Sequence, residues 1–201
     1  MRIGFYTNYT PAIAAFAQRT GFRSLELSAW PHSTLNPTKV TKAELSAMMK
    51  DLEARDIEIS CLGYYPNYLS HDAHEAQEAV EYLGKVIDLA SQLGIPVVAT
   101  FAGRNPELSV EDNLPGFKEV FSRICDDAER KNVKIALENC PMMNRFSMQG
   151  ENIAFSPEIW RVLFDLVPSA NLGLELDPSH CVWQRIDYVK AAREFGSKIF
   201  H

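Results

Sequence analysis

Short apolar runs alternate along this chain with longer stretches in which apolar residues recur every three to four positions. The runs at 2–7, 24–30, 58–63, 96–102, 133–138 and 171–177 are bounded by turn or helix signals, which marks them as buried strands. The stretches at 11–20, 41–55, 74–93, 109–131, 156–166 and 187–194 carry the helical period, with Ile13, Phe16 and Ala17 on one face of the first and Val80, Leu83 and Ile87 on one face of the third. Helix signals agree with those limits. Thr41 with Glu44 forms a capping-box pattern, Ser109 with Asp112 opens another helix, and Ser156-Pro157-Glu158 places a cap, a first-turn proline and a first-turn acid in order. Pro115 falls early in its helix, where proline is best tolerated.

Strands alternating with helices imply an α/β chain with a parallel sheet. No Gly-x-Gly-x-x-Gly follows any strand, so the usual argument for an open dinucleotide-binding sheet is missing. Side chains with chemical potential stand instead at the C-terminal ends of several strands, as a (β/α)8 TIM barrel requires. With no linker, charge block or low-complexity segment, residues 1–201 read as one barrel domain. It comprises six βα units and the start of a seventh strand at Lys198, against about 250 residues for a complete barrel. An open parallel strand exposes unpaired backbone groups, so the expectation is a barrel truncated at its C-terminus or covered there by a partner chain.

Composition narrows the partners. A net charge of −6 lacks the clustered cations of a nucleic-acid surface and suits a protein that holds a cation. The four cysteines form no CxxC pair, which fits reduced thiols and a cytoplasmic setting. The N-terminus shows no signal peptide, and no apolar stretch approaches the roughly 20 residues of a membrane span. The expected partner is a small molecule, with no nucleic acid or membrane; a homo-oligomer stays open.

Three strand runs close on Glu138, Asp177 and His201, 39 and 24 residues apart. Each alone reads more readily as a strand-end carboxylate or a hydrogen-bonded histidine than as a ligand. Together they supply two carboxylates and an imidazole at one rim, a hard donor set for a divalent metal, Mn²⁺ or Mg²⁺ first and Zn²⁺ or Co²⁺ next. Such a cation polarises a carbonyl and stabilises the enediolate left by α-proton removal, with Glu138 as a candidate for the proton transfer. Alternation puts Glu175 one layer below Asp177, where it could orient a ligand. His180, read in the loop after strand six, could donate to a substrate oxygen. Tyr64, Tyr65, Phe101, Met142 and Trp183 are candidates for an apolar sugar-pocket wall, though aromatics at such places also serve as core. Arg104, Arg145 and Arg185 are candidates for an anionic substituent, with solvated loop arginines as the ordinary reading.

Four segments carry a resemblance: Gly63-Tyr64-Tyr65-Pro66-Asn67, Ile135-Ala136-Leu137-Glu138-Asn139-Cys140-Pro141, Leu176-Asp177-Pro178-Ser179-His180 and Lys198-Ile199-Phe200-His201. In their order the chain resembles the xylose isomerase-like barrel superfamily, in its sugar phosphate isomerase/epimerase group. The resemblance implies that Glu138, Asp177 and His201 are metal ligands, that His180 contacts substrate, and that a keto sugar or sugar phosphate is isomerised or epimerised. In that family a further strand adds a glutamate, which here would lie beyond residue 201. Ketose 3-epimerases usually place an acid directly after an Asn-Arg-Phe-type segment; here Asn144-Arg145-Phe146 is followed by Ser147, and the nearest acid is Glu151. Dehydration of a 3-keto sugar or an inosose uses the same enolate logic and stays open. An apurinic endonuclease-like hydrolase would need further histidines where this chain has Tyr64-Tyr65 and Phe101-Ala102-Gly103. A non-catalytic sugar- or metal-binding barrel is the remaining alternative.

Overall fold

The computed structural model describes residues 2–201. Six strands, β1 (Gly4–Thr7), β2 (Ser24–Ser28), β3 (Glu58–Gly63), β4 (Val97–Thr100), β5 (Lys134–Glu138) and β6 (Leu172–Glu175), form one parallel sheet in sequence order. Between them run α1 (Pro11–Thr20), α2 (Lys42–Ala54), α3 (Ala73–Leu93), α4 (Val110–Arg130) and α5 (Pro157–Leu166), and α6 (Pro178–Trp183) and α7 (Tyr188–Phe195) follow β6. Local chemistry sets the helix starts. Thr41 and Glu44 complete a reciprocal capping box, and Ser109 accepts the Asp112 N–H at 3.0 Å. Ser156 makes no side-chain cap hydrogen bond, so α5 relies on Pro157 and Glu158 in its first turn. Among the described residues no helix is long and apolar enough to cross a membrane.

Helices cover the outer face of the sheet, where Leu25, Leu27, Leu62, Val98, Ile135, Leu137, Leu172 and Leu174 meet residues such as Leu83, Phe117, Phe121 and Trp160. The inner face is lined by small side chains, Cys61, Val97, Ala99 and Ala136, beneath Tyr65 and Phe200. That division follows the period of two along each strand. The sheet curls enough for β2 and β6 to be joined across the interior, because the Tyr65 hydroxyl contacts both Glu26 and Glu175. The result is an incomplete TIM barrel.

Two details differ from the sequence expectation. His180 lies in a six-residue helix rather than a loop, because Asp177 accepts the Ser179 N–H at 2.7 Å and Pro178 occupies the first helical position. The seventh strand does not begin at Lys198: residues Gly196–Lys198 form a 3-10 turn, and the chain then extends for a single parallel bridge between Ile199 and Leu174. Phe200 N–H donates to the Leu174 carbonyl at 2.9 Å, and Leu176 N–H to the His201 carbonyl at 3.0 Å. Gly173 permits this approach, since a methyl group there would overlap the Lys198 carbonyl and the Phe200 ring. Gly173→Ala is therefore expected to cost about 1–3 kcal/mol and to speed hydrogen exchange at the Phe200 amide, while exchange in β2 and β3 stays unchanged.

Candidate active site

Two buried asparagines set the rim. Asn139, directly after β5, donates its amide to the Asp177 carbonyl at 2.9 Å and accepts the Asp177 N–H at 2.7 Å. Asn152 donates to the carbonyls of Glu138 (2.9 Å) and Cys140 (2.6 Å) and accepts the Ala102 N–H at 2.9 Å. Both are fully buried. They tie the C-terminal ends of β4, β5 and β6 into one edge, which places Glu138 and Asp177 side by side. Asn139→Ala would leave two backbone groups of Asp177 without partners. It is expected to destabilise the fold by about 2–4 kcal/mol, measured by denaturant unfolding, and Asn139→Asp should not restore the loss.

His180 stands between the two carboxylates, its Nε2 3.3 Å from Glu138 Oε1 and 3.5 Å from Asp177 Oδ2. The Trp183 indole N–H donates to His180 Nδ1 at 3.3 Å. That bond assigns the neutral ring its proton on Nε2, so His180 presents a donor to Glu138 or to a bound oxygen. Burial, and then the charges of Glu175 and Asp177, push the Glu138 carboxyl up to about 8.

A second set lies deeper. His201 Nδ1 is 3.0 Å from Glu175 Oε1, and its Nε2 is 2.9 Å from the Ser60 hydroxyl. Tyr65 contacts Glu26 on one side and Glu175, at 2.9 Å, on the other. One phenol proton cannot serve two carboxylates, so a further proton must lie in the pair. Burial, and then the neighbouring Glu175, raise the Glu26 carboxyl in keeping with that. Gly63 makes room here, since a side chain at that position would run into Glu26 and the Tyr6 and Tyr65 rings.

The structure thus brings Glu138, Asp177 and His180 together and holds His201 against Glu175 and Ser60. Among the described residues two groups of three bring one donor atom each within 4.8 Å of one another: Glu138, Cys140 and His180, and Glu26, Glu175 and His201. Glu138, Asp177, Glu175, Glu26 and His201 nevertheless line one cavity of about 670 Å³, walled by Tyr6, Trp30, Tyr65 and Phe101. Among the described residues the basic groups within 4 Å of these four carboxylates are His180 and His201, with no lysine or arginine. A buried acidic cluster without a fixed cation fits a divalent metal.

The other sequence candidates lie elsewhere. Tyr64 faces away from the cavity, packed 4.8 Å from both Trp30 and Tyr82, and it is Tyr65 that enters. Trp183 is more than half exposed, and its role here is the bond to His180. Arg185 is exposed, in a left-handed turn at φ 60°. Met142 and Phe101 line the cavity. Glu26, Ser60, Asn139 and Asn152 escape the sequence reading. Glu26 had a signal: it is a charge at the centre of a wholly buried strand, sharing its face with Ser24 and Ser28.

A family model for the xylose isomerase-like TIM barrel matches residues 14–201, and the chain belongs to that family. It is 28% identical over 216 residues to YfiH, an uncharacterized protein of Bacillus subtilis (strain 168), covering 92% of this chain and 65% of that protein. The chain therefore spans somewhat less than two thirds of the length of this relative. Two solved structures share the fold at a TM-score of 0.80. One is the probable 3-DHS dehydratase AsbF from Bacillus anthracis, 18% identical, with 99% of this chain and 71% of that one covered. The other is a D-psicose 3-epimerase in the presence of D-fructose, 17% identical, with the same coverage.

Proposed function

We propose that the protein is a metal-dependent isomerase or epimerase of keto sugars or sugar phosphates, acting by transfer of the proton α to a carbonyl. The observation that carries this reading is the Glu138 carboxyl: largely buried at the cavity rim, in contact with the Nε2–H of His180, and set beside Asp177 in an acidic cluster with no lysine or arginine against it among the described residues. Glu138 takes the α-proton and, for isomerisation, returns it to the neighbouring carbon, whereas epimerisation requires a second acid to protonate the opposite face; His180 donates to a substrate oxygen and holds it in register. Tyr6, Trp30, Tyr65 and Phe101 offer an apolar wall against the sugar ring and exclude water from the transfer.

Glu138, Asp177 and His201 would hold the cation, with Glu175 orienting the His201 ring. Mn²⁺ or Mg²⁺ suits the carboxylates best, and Zn²⁺ or Co²⁺ also takes the imidazole. When bound, the metal supplies Lewis-acid polarisation of the carbonyl and offsets the charge of the acidic cluster. The similarity to a D-psicose 3-epimerase supports the substrate class.

A second reading, dehydration of a 3-keto sugar or inosose, is favoured by the equal similarity to a probable dehydratase and by the missing acid after Asn144-Arg145-Phe146. The same enolising Glu138 serves both. The test is deuterium incorporation at the carbon next to the carbonyl, with a panel of keto sugars and Mn²⁺ in D2O. Exchange with sugar retained supports the isomerase, and exchange followed by loss of water supports the dehydratase. Bound metal and sugar without any exchange would identify a binding protein and overturn both.

A further inference from the structure

We propose that the pocket between the Gly103–Asn105 turn and the 140–155 loop binds an oxyanion, a carboxylate or phosphate group, through Arg104. The inference rests on the sugar reading above and extends it, because it gives the substrate a charged substituent. The pocket has a volume of about 410 Å³ and is lined by Arg104, Met143, Met148, Phe155, Trp183 and Gln184 among others.

Arg104 is held in place without being used up. Its backbone N–H donates to Asn67 Oδ1 at 2.8 Å, and its carbonyl accepts the Asn67 amide at 2.7 Å. Its guanidinium, which offers five N–H groups, makes one hydrogen bond among the described residues, from Nη2 to the Leu108 carbonyl at 3.3 Å. Its Nε is buried and has no partner. In a protein with 26 acidic residues against 20 Lys and Arg, a cation on a pocket wall with no carboxylate paired to it among the described residues suits an anion. The fork of N–H groups matches two oxygens of one planar or tetrahedral oxyanion.

Arg104 is the one charged donor on this lining; of the side-chain amides only that of Gln149 is free to add to it. Gln184 Nε2 is spent on the carbonyls of His180 and Phe155, and the Asn152 amide on Glu138 and Cys140. Trp183 joins this pocket to the reaction site, because it lines the pocket while its indole N–H reaches His180. A substrate carrying its charge at Arg104 would therefore lie on the same side of the rim as His180.

The test titrates the protein with inorganic phosphate and, separately, acetate, following the Arg104 Nε–H and Trp183 indole N–H signals in proton–nitrogen spectra. Saturable shifts of both signals are expected, and the anion with the tighter binding names the substituent. Arg104→Gln should weaken binding by about tenfold or more, and Arg104→Lys, which keeps the charge but loses Nε, should fall between. No saturation in the unaltered protein, or equal affinity in Arg104→Lys and the unaltered protein, overturns the proposal even where Arg104→Gln fails to fold. Glu138→Gln should leave anion binding unchanged, so failure of the proton-transfer reading and failure of this one are separately visible.

Discussion

Glu138→Gln is expected to lower α-proton exchange on keto sugars by about 10²–10⁴-fold, the usual worth of a positioned acid–base group. The amide keeps the size and the hydrogen-bonding reach of the carboxylate, so Asn152 and His180 retain their places. What disappears is the proton acceptor and one anionic ligand. Metal content should therefore fall in parallel, and Asp177→Asn should lower it as well. Exchange at the unaltered rate, with unchanged metal stoichiometry in both variants, would remove Glu138 and Asp177 from the site. A loss of exchange with full metal retained would instead separate the proton-transfer role from the ligand role.

The second large effect concerns pH. In the metal-free protein Glu138 and Glu26 both have carboxyls raised above their usual value of 4.5, by burial first and then by neighbouring carboxylates. Between the unfolded value and the folded one, about 8 for Glu138, the folded chain holds protons that the unfolded chain has released. Stability must then fall as pH rises through that window, since it declines wherever the folded state binds more protons. The melting temperature of the metal-free protein is expected to drop by about 5 °C or more between pH 5.5 and 8.5. Glu26→Gln should flatten that slope, because a neutral amide cannot be forced to ionise among acids. Saturating Mn²⁺ should flatten it too, by offsetting the same charges. A flat or rising profile would show that these carboxylates are already ionised in the native protein across this range.

Much of this architecture could be read from the residues because local and global signals agree. The apolar run ending at Glu138 is a buried strand to its last residue, the run expected to reach Asp177 is one as far as Glu175, with Asp177 capping the next helix instead, and caps such as Thr41 and Ser109 stand where the helices begin. What the chain order could not reveal is which side chains meet across the interior. The bonds of His201 to Ser60 and Glu175 span 141 and 26 residues, and Tyr65 reaches Glu175 over 110. No periodicity encodes such pairs. Tyr64 and Tyr65 show the same limit at closer range: neighbours in an extended segment point opposite ways, and one residue of register decides which of them enters the cavity. The short helix around His180 was also hidden, since six residues are too few to display a helical period.

The pair of buried amides at the rim has an evolutionary consequence. Asn152 anchors the far end of the 140–155 segment to the backbone of Glu138 and Cys140, while Asn139 secures the near end to Asp177. The tip between those two rivets, residues 145–147 with the fully exposed Phe146, can be lengthened, recoded or exchanged without disturbing the reactive carboxylates. Novelty in what this scaffold accepts can thus accumulate in one detachable stretch, leaving the chemistry beside it untouched.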